Sequence, residues 1–299
     1  MDDRPLDEQP RNDGPEGGRA GTARSSAAAA PDEGHYGTDL FPPEETGEGE
    51  RIDYGALAYD AVTRARLTAL GVGPGWRCLD VGAGTGTISR WLAGEAGVDE
   101  VLALDRDPRF VNAHPVGRLH TMAADVNDPA LAPGRFDLVH CRFVLMHLPQ
   151  HAEVLARLAD WVAPGGWLVV GDAVDLTTAD SPQLAYRHTM AAMWQALRER
   201  IGTDVTWVTR YPQVLRGLGL REVGAEVHVP PLTPDAPVTA FWRSTWLSMR
   251  DALEAGTALE PGELDRALAY LASPELADLS PGMITAWGRR PSADGADRL

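Results

Sequence analysis

The 299-residue sequence predicts an α/β protein built around one doubly wound, mostly parallel sheet. Five short apolar segments alternate with helix-like segments through residues 77–172, the pattern of strands covered by helices on both faces. A glycine-rich turn, Gly82-Ala83-Gly84-Thr85-Gly86, leads from the first of these strands into a helix. Two further strand-like segments follow, far apart in the chain, and bring the sheet to seven strands. At 44% hydrophobic residues, the chain can bury one substantial core with an appended lobe.

Residues 1–48 are rich in Gly, Pro, Ala, Ser and acidic side chains and poor in large apolar groups. They are expected to be a disordered acidic tail, in which Tyr36 and Leu40-Phe41 are the groups able to dock on a folded domain over 49–299. Helical periodicity starts at Ile52 and runs to Leu70, where Gly71-Val72-Gly73-Pro74-Gly75 stops it. Strands are predicted at Arg77 to Val81, Glu100 to Asp105, Leu119 to Ala123, Phe136 to Cys141 and Trp167 to Asp172, with a helix at Gln150 to Val162. Helical patterns follow near Ser181 to Arg200 and Tyr211 to Leu218, and strands at Glu222 to Val229 and Met283 to Gly288 complete the sheet. About 50 residues separate those two strands, with helical patterns near Val238 to Glu254 and Gly262 to Ala272. Elements within about 178–220 and 230–280 are therefore expected to form a helical lid.

The formal charge is −16, and residues 1–50 hold 13 acidic and 4 basic side chains of that total. No basic stripe offsets it, which argues against nucleic acid or an anionic membrane as partner. No apolar run approaches the roughly 20 residues needed to span a bilayer, and the charged, proline-rich start does not read as a signal peptide, so a cytoplasmic protein is expected. Every basic side chain other than histidine is arginine, which excludes lysine chemistry. Cys78 and Cys141 both fall in predicted core strands, as buried thiols rather than a disulfide or metal site.

The glycine turn follows Asp80 and opens a helix, so its amides can face the polar tail of a ligand. A dinucleotide fingerprint would need a glycine where Thr87 stands, and a phosphate-binding P-loop needs a lysine the chain lacks. Asp105 ends the second strand 25 residues after Asp80, where a carboxylate can accept from both ribose hydroxyls and repel a 2′-phosphate. Asp125 and Val126 follow the third strand. Phe136-Asp137-Leu138-Val139 leads to Leu145-Met146-His147-Leu148, and then to Ala163-Pro164-Gly165-Gly166 before the fifth strand.

In that order and spacing, these motifs resemble the class I S-adenosylmethionine-dependent methyltransferases over residues 52–172, with a return at Met283 to Arg290. The resemblance is to the small-molecule type, and the alanine-rich, lysine-free composition is like that of actinomycete members. It implies a Rossmann-like seven-stranded sheet with an antiparallel last strand. It also implies S-adenosyl-L-methionine as cofactor, with contacts from Asp80, Gly82, Ala83, Gly84, Gly86, Asp105, Arg106, Asp125, Val126 and Cys141. A methyl group already activated on a sulfonium needs an aligned nucleophile and excluded water, with a base where the acceptor must lose a proton.

His147 and Arg142, after the fourth strand, are the candidate catalytic residues. His147 is either a base or a loop-holding hydrogen-bond partner, and Arg142 either orients an anionic acceptor or pairs with an acid. Tyr186, His188, Trp194, Trp242 and Trp246 are the candidate acceptor-binding residues, with core packing as the alternative for the aromatic ones. The expected acceptor is a small molecule, a specialised metabolite in the first instance, handled by a monomer or homodimer. The alternatives are a peptide or protein methyltransferase and a non-catalytic cofactor-binding regulator. An open acidic groove would favour the peptide, and a closed aromatic pocket would oppose it.

Overall fold

The computed structural model describes residues 36–292 apart from 38, 43 and 257, so most of the expected tail lies outside the described residues. Seven strands form the sheet: β1 (Arg77–Val81), β2 (Glu100–Asp105), β3 (Leu119–Ala123), β4 (Phe136–Arg142), β5 (Val162–Val174), β6 (Arg221–His228) and β7 (Gly282–Arg289). Their order is β3-β2-β1-β4-β5-β7-β6. The ladders from β1 through β5 are parallel, and β7 runs antiparallel to both β5 and β6. The expected doubly wound sheet with its antiparallel last strand is the one that forms.

Strand alternation divides the core. Leu79, Val139, Leu168 and Val170 pack on one face, while Cys78, Leu138 and Val169 pack on the other. Both faces are covered, which is why these strands read as continuous apolar runs. From β3, at the sheet edge, the chain crosses back to β4 beside β1. The loops leaving the C-terminal ends of β1 and β4 therefore diverge, and such a switch point opens a crevice for ligands.

Nine α-helices lie among the described residues: α1 (Glu48–Ala69), α2 (Thr87–Ala93), α3 (Arg109–Asn112), α4 (His151–Asp160), α5 (Leu184–Ile201), α6 (Tyr211–Gly217), α7 (Pro237–Ser248), α8 (Arg250–Gly256) and α9 (Glu263–Leu271). Helices α5, α7, α8 and α9 enclose a second core that includes Met190, Trp246, Leu253, Leu264 and Leu271. Each large aliphatic side chain buried there contributes about 1.5–3 kcal/mol, enough to give the helical lobe a stable interior of its own. None of the described helices is long and apolar enough to cross a membrane.

The expected boundary near residue 48 needs correction. Leu40 is 7% exposed and Phe41 5%, and both belong to the helical core. The Arg106 guanidinium also donates to the Tyr36 carbonyl. This stretch is too polar on average to predict a fold, yet Leu40 and Phe41 are packed and Tyr36 is bonded to Arg51 and Arg106. Helix α1 likewise starts four residues before the first apolar position of its periodic pattern.

Candidate functional site

Beyond β1, the chain turns through Gly82, Gly84 and Gly86 with φ of +67°, +56° and +79°. Only glycine takes this left-handed conformation cheaply. At Gly82 space is limiting as well, because a Cβ would lie 2.2 Å from Val144 Cγ2. The Gly84 amide donates to Asp105 Oδ2 at 2.9 Å and the Asp107 amide to Oδ1 at 3.0 Å, which fixes the carboxylate at the tip of β2. Burial raises the Asp105 pKa, and those two amides partly offset the rise.

Asp80 lies deeper, 3% exposed. It accepts from Ser89 Oγ at 2.5 Å and shares a 2.7 Å hydrogen bond with His140 Nδ1, its register partner on β4. The pair links the switch-point strands to the first turn of α2.

A cavity of about 510 Å³ opens at these strand ends. Its wall includes Asp80, Gly82, Ala83, Gly84, Asp105, Arg106, Asp125, Val126, Arg142, His147, Trp194 and Trp242 from the sequence-based candidates. Asp125 is exposed at the rim and holds the Asn127 amide at 2.8 Å, while Val126 is buried. Asn127 also lines the wall, and its buried Oδ1 has no hydrogen-bond partner. An unsatisfied buried acceptor is costly unless a ligand or water completes it.

Other candidates are displaced from the site. Cys141 is fully buried beside Val139 in the sheet core, because strand alternation turns it away from the cavity. Gly86 caps α2 and is not on the cavity wall. Tyr186 is wholly buried in the helical core, its hydroxyl donating to the Leu279 carbonyl at 2.9 Å. Trp246 packs at 6.0 Å from the Tyr186 ring in the same core, with its indole N–H unpartnered. The His188 side chain is 48% exposed and pairs with Glu263 at 2.6 Å, outside the cavity. Trp194 and Trp242 do reach the wall. Their indole N–H groups are spent on Asp175 Oδ2 and Ser280 Oγ, both at 2.7 Å, so what they offer the cavity is ring surface.

Arg142 reaches the wall but is committed. It donates to Asp60 at 2.7 Å and to Thr63 Oγ1 at 2.9 Å, pinning β4 to α1. His147 shares a 2.8 Å bond with Thr203 Oγ1 and packs its ring against Tyr36, centroids 4.8 Å apart. Burial, and then the Arg51 charge, pull its pKa down to about 3. It is neutral at any physiological pH and a weak base.

The most polar part of the wall was not legible in motifs. Arg51 is 4% exposed and bonds Glu48 through Nε at 2.7 Å and Nη2 at 2.6 Å, the Tyr36 hydroxyl at 2.5 Å and Thr245 Oγ1 at 3.4 Å. Phe41 covers its guanidinium at 4.1 Å and Phe241 at 5.5 Å. Burial alone would lower the Arg51 pKa, but Tyr36 and Glu48 more than offset it and hold it above the usual guanidinium value. Phe143, with φ +56°, and Tyr59 complete this side, their rings 5.2 Å apart. The available signal was spacing: Glu48, Arg51, Gly55, Tyr59 and Thr63 recur at helical period on α1.

Residues 39–213 match the family model described as a methyltransferase domain. The chain is 35% identical over 126 residues to methyltransferase str3 of Strobilurus tenacellus, covering 42% of this chain and 45% of that protein. It is 28% identical over 166 residues to trans-aconitate 2-methyltransferase of Mycobacterium tuberculosis, covering 54% and 63%. It thus spans about half the length of the curated relatives it matches. Among solved structures it resembles Haemonchus contortus phosphoethanolamine N-methyltransferase 2 in complex with phosphomonomethylethanolamine and S-adenosylhomocysteine, at a TM-score of 0.53, 15% identity and coverage of 84% and 60%. An O-methyltransferase family protein from Burkholderia thailandensis gives a TM-score of 0.51 at 15% identity, covering 84% and 62%. At those identities the structural likeness is one of fold.

Proposed function

The chain belongs to the methyltransferase-domain family, and from that premise we propose that it transfers the methyl group of S-adenosyl-L-methionine to a small-molecule acceptor. The observation that carries this reading is one continuous cavity joining the Gly82–Gly84 turn and Asp105 to an aromatic chamber of Phe41, Phe143, Trp194, Phe241 and Trp242. The wall fits the cofactor. Asp105 is held with its oxygens at the end of β2 for the ribose hydroxyls, and the glycine turn leaves backbone exposed where a side chain would intrude. Asn127 Oδ1 offers an unfilled acceptor beside Asp125 and Val126 for the adenine amino group.

When bound, the cofactor supplies a methyl group already activated by its sulfonium. The chain's own task is alignment and exclusion of water. Phe143 and Val144 form the floor against Gly82, and Trp194 and Trp242 form the chamber wall. His147, neutral and tied to Thr203, orients an acceptor hydroxyl or amine rather than removing its proton. An aromatic chamber roofed by Phe41 and α7 supports a small molecule over a peptide.

Calorimetry with S-adenosylhomocysteine tests the reading. The wild type should bind it, and Asp105→Ala should bind it about 1–3 kcal/mol more weakly through lost hydrogen bonds. Gly82→Ala should lose it almost entirely by driving Val144 into the cofactor space. Failure of the folded wild type to bind would end the proposal.

A further inference from the structure

We propose that the acceptor chamber is built for an uncharged molecule, and that Glu48 is the residue that makes it so by occupying the anion-binding face of Arg51. This inference rests on the methyltransferase reading above and concerns the class of acceptor.

An acceptor carrying a carboxylate or phosphate would need a cation with donors to spare. The cavity-lining arginines are Arg51, Arg106 and Arg142. Arg142 is committed to Asp60 and Thr63 within α1. Arg106 stands at the mouth, beside Asp105 and Asp107 on the expected cofactor side, and donates to the Tyr36 carbonyl. That leaves Arg51, the arginine set among the chamber aromatics.

Four of its five N–H donors are engaged from within. Glu48 takes Nε and Nη2 in the two-pronged geometry an external carboxylate would use. The Tyr36 hydroxyl takes Nη2 as well, Thr245 takes Nη1, and the rings of Phe41 and Phe241 cover the guanidinium. Glu48 is itself 4% exposed, so the two charges cancel inside the wall rather than in solvent. A competing carboxylate would have to displace Glu48 from Arg51, and an unpaired buried charge is strongly disfavoured.

The wider wall points the same way. It carries the carboxylates of Glu44, Glu48, Asp80, Asp105, Asp107 and Asp125 against those three arginines, so its field opposes an incoming anion. A cationic acceptor is opposed for a different reason, because it must approach the methyl of a sulfonium that is already positive. What the chamber offers instead is ring surface, with both tryptophan N–H groups engaged elsewhere and His147 neutral. An uncharged, planar, largely apolar acceptor bearing a hydroxyl or neutral amine loses least on entering such a site.

The test uses the full chain, first checked for S-adenosylhomocysteine binding and then saturated with sinefungin, whose ammonium stands in for the sulfonium charge, and matched probes on phenyl, naphthyl and biphenyl frames, each as the alcohol, the carboxylate and the methylammonium. Calorimetry should show the alcohol binding at least tenfold more tightly than its charged partners on the frame that fits best. Glu48→Gln should raise affinity for the carboxylate probes at least tenfold while leaving that for the alcohols within about threefold. A wild-type preference for carboxylate or ammonium, equal affinity across a matched set, or no binding by any alcohol overturns the proposal. So does a folded Glu48→Gln protein that gains nothing for carboxylates. If S-adenosylhomocysteine itself fails to bind, the methyltransferase reading fails instead.

Discussion

Helices α1 and α9 both bury one face, and the two faces have opposite chemistry. On α9 the stripe is Leu264, Ala267 and Leu271, with Glu263 at its first turn, and it closes the helical core. On α1 the stripe recurs at the same period but consists of Glu48, Arg51, Gly55, Ala56, Tyr59, Asp60, Thr63 and Leu67. Burial of apolar groups accounts for α9 directly. Helix α1 is held instead by polar bonds that each need a partner on another element: Arg142 on β4 for Asp60, Thr245 on α7 for Arg51, and the Pro281 carbonyl for Tyr59. The N-terminal part of this stripe, Glu48, Arg51, Gly55, Ala56 and Tyr59, faces the cavity, and only Leu67 at its far end joins a core.

The largest way to break the comparison is Arg51→Ala. It leaves the Glu48 carboxylate buried and unpaired, and should cost about 3–5 kcal/mol in urea denaturation. The double variant Glu48→Leu with Arg51→Met should recover most of that loss, since an apolar pair of similar volume replaces the ion pair. A double variant as unstable as the single would show that the α1 stripe is held by shape rather than by charge pairing.

On α9, Leu264→Ala should cost about 3 kcal/mol by leaving a cavity in the helical core, with S-adenosylhomocysteine affinity unchanged. A weakened affinity would mean that the two helices are not separable in function.

Stability should also depend on pH, through His147 on the cavity wall and Asp172 buried against Tyr211. His147 is held near 3, so between about pH 6.5 and 3 the unfolded chain takes up a proton that the folded chain refuses, and its contribution to stability is lost as pH falls. Asp172 acts in the opposite direction. Burial raises its pKa to about 7, with the Tyr211 hydroxyl and the Met146 and Val144 amides partly offsetting the rise. The folded carboxyl keeps its proton where the unfolded one has lost it, so its contribution falls as pH rises from about 4 to 7. His147→Gln should therefore gain stability relative to wild type on going from pH 7 to pH 5, and Asp172→Asn should lose it. Each difference is at most about 1.4 kcal/mol per pH unit. Parallel profiles for the three proteins would remove both residues from the pH dependence.

The smallest effect is expected for Tyr36→Phe, which removes the hydroxyl bonded to Arg51 and Glu48 while keeping the ring against His147. A loss of about 1.5 kcal/mol, the low end for hydrogen bonds to charged groups, fits because Arg51 and Glu48 still pair with each other. No change in melting temperature would show that the Tyr36 hydroxyl adds nothing to the anchoring by Leu40 and Phe41.

Sequence legibility follows the same division. Strands β1, β2 and β3 begin and end where their apolar runs predict, and β7 extends only one residue at each end. Gly82, Ala83, Gly84, Asp105, Val126, His147, Trp194 and Trp242 line one cavity. Cys141, Tyr186, His188 and Trp246 do not, and for Cys141 the alternation with Val139 already carried the signal. For Tyr186 and Trp246 an aromatic residue on a helix reads the same whether it faces a core or a ligand.

What the sequence determined by itself was therefore local: periodicity set the elements, and glycine spacing with strand-end carboxylates set the part of the cavity wall at the ends of β1 and β2, because those demands act within a few residues. Only the tertiary structure decided that Glu48 neutralises Arg51, that Arg142 is held by Asp60 and Thr63, that Thr203 meets His147 and that Tyr36, Gly37 and Phe41 line the chamber. In most of these the partners come from separate elements, 56 residues apart for His147 and Thr203 and 194 for Arg51 and Thr245, and the fold alone brings them within hydrogen-bonding reach. Whether a buried charge is free to meet a ligand depends on what already pairs with it, and that is a property of packing rather than of sequence pattern.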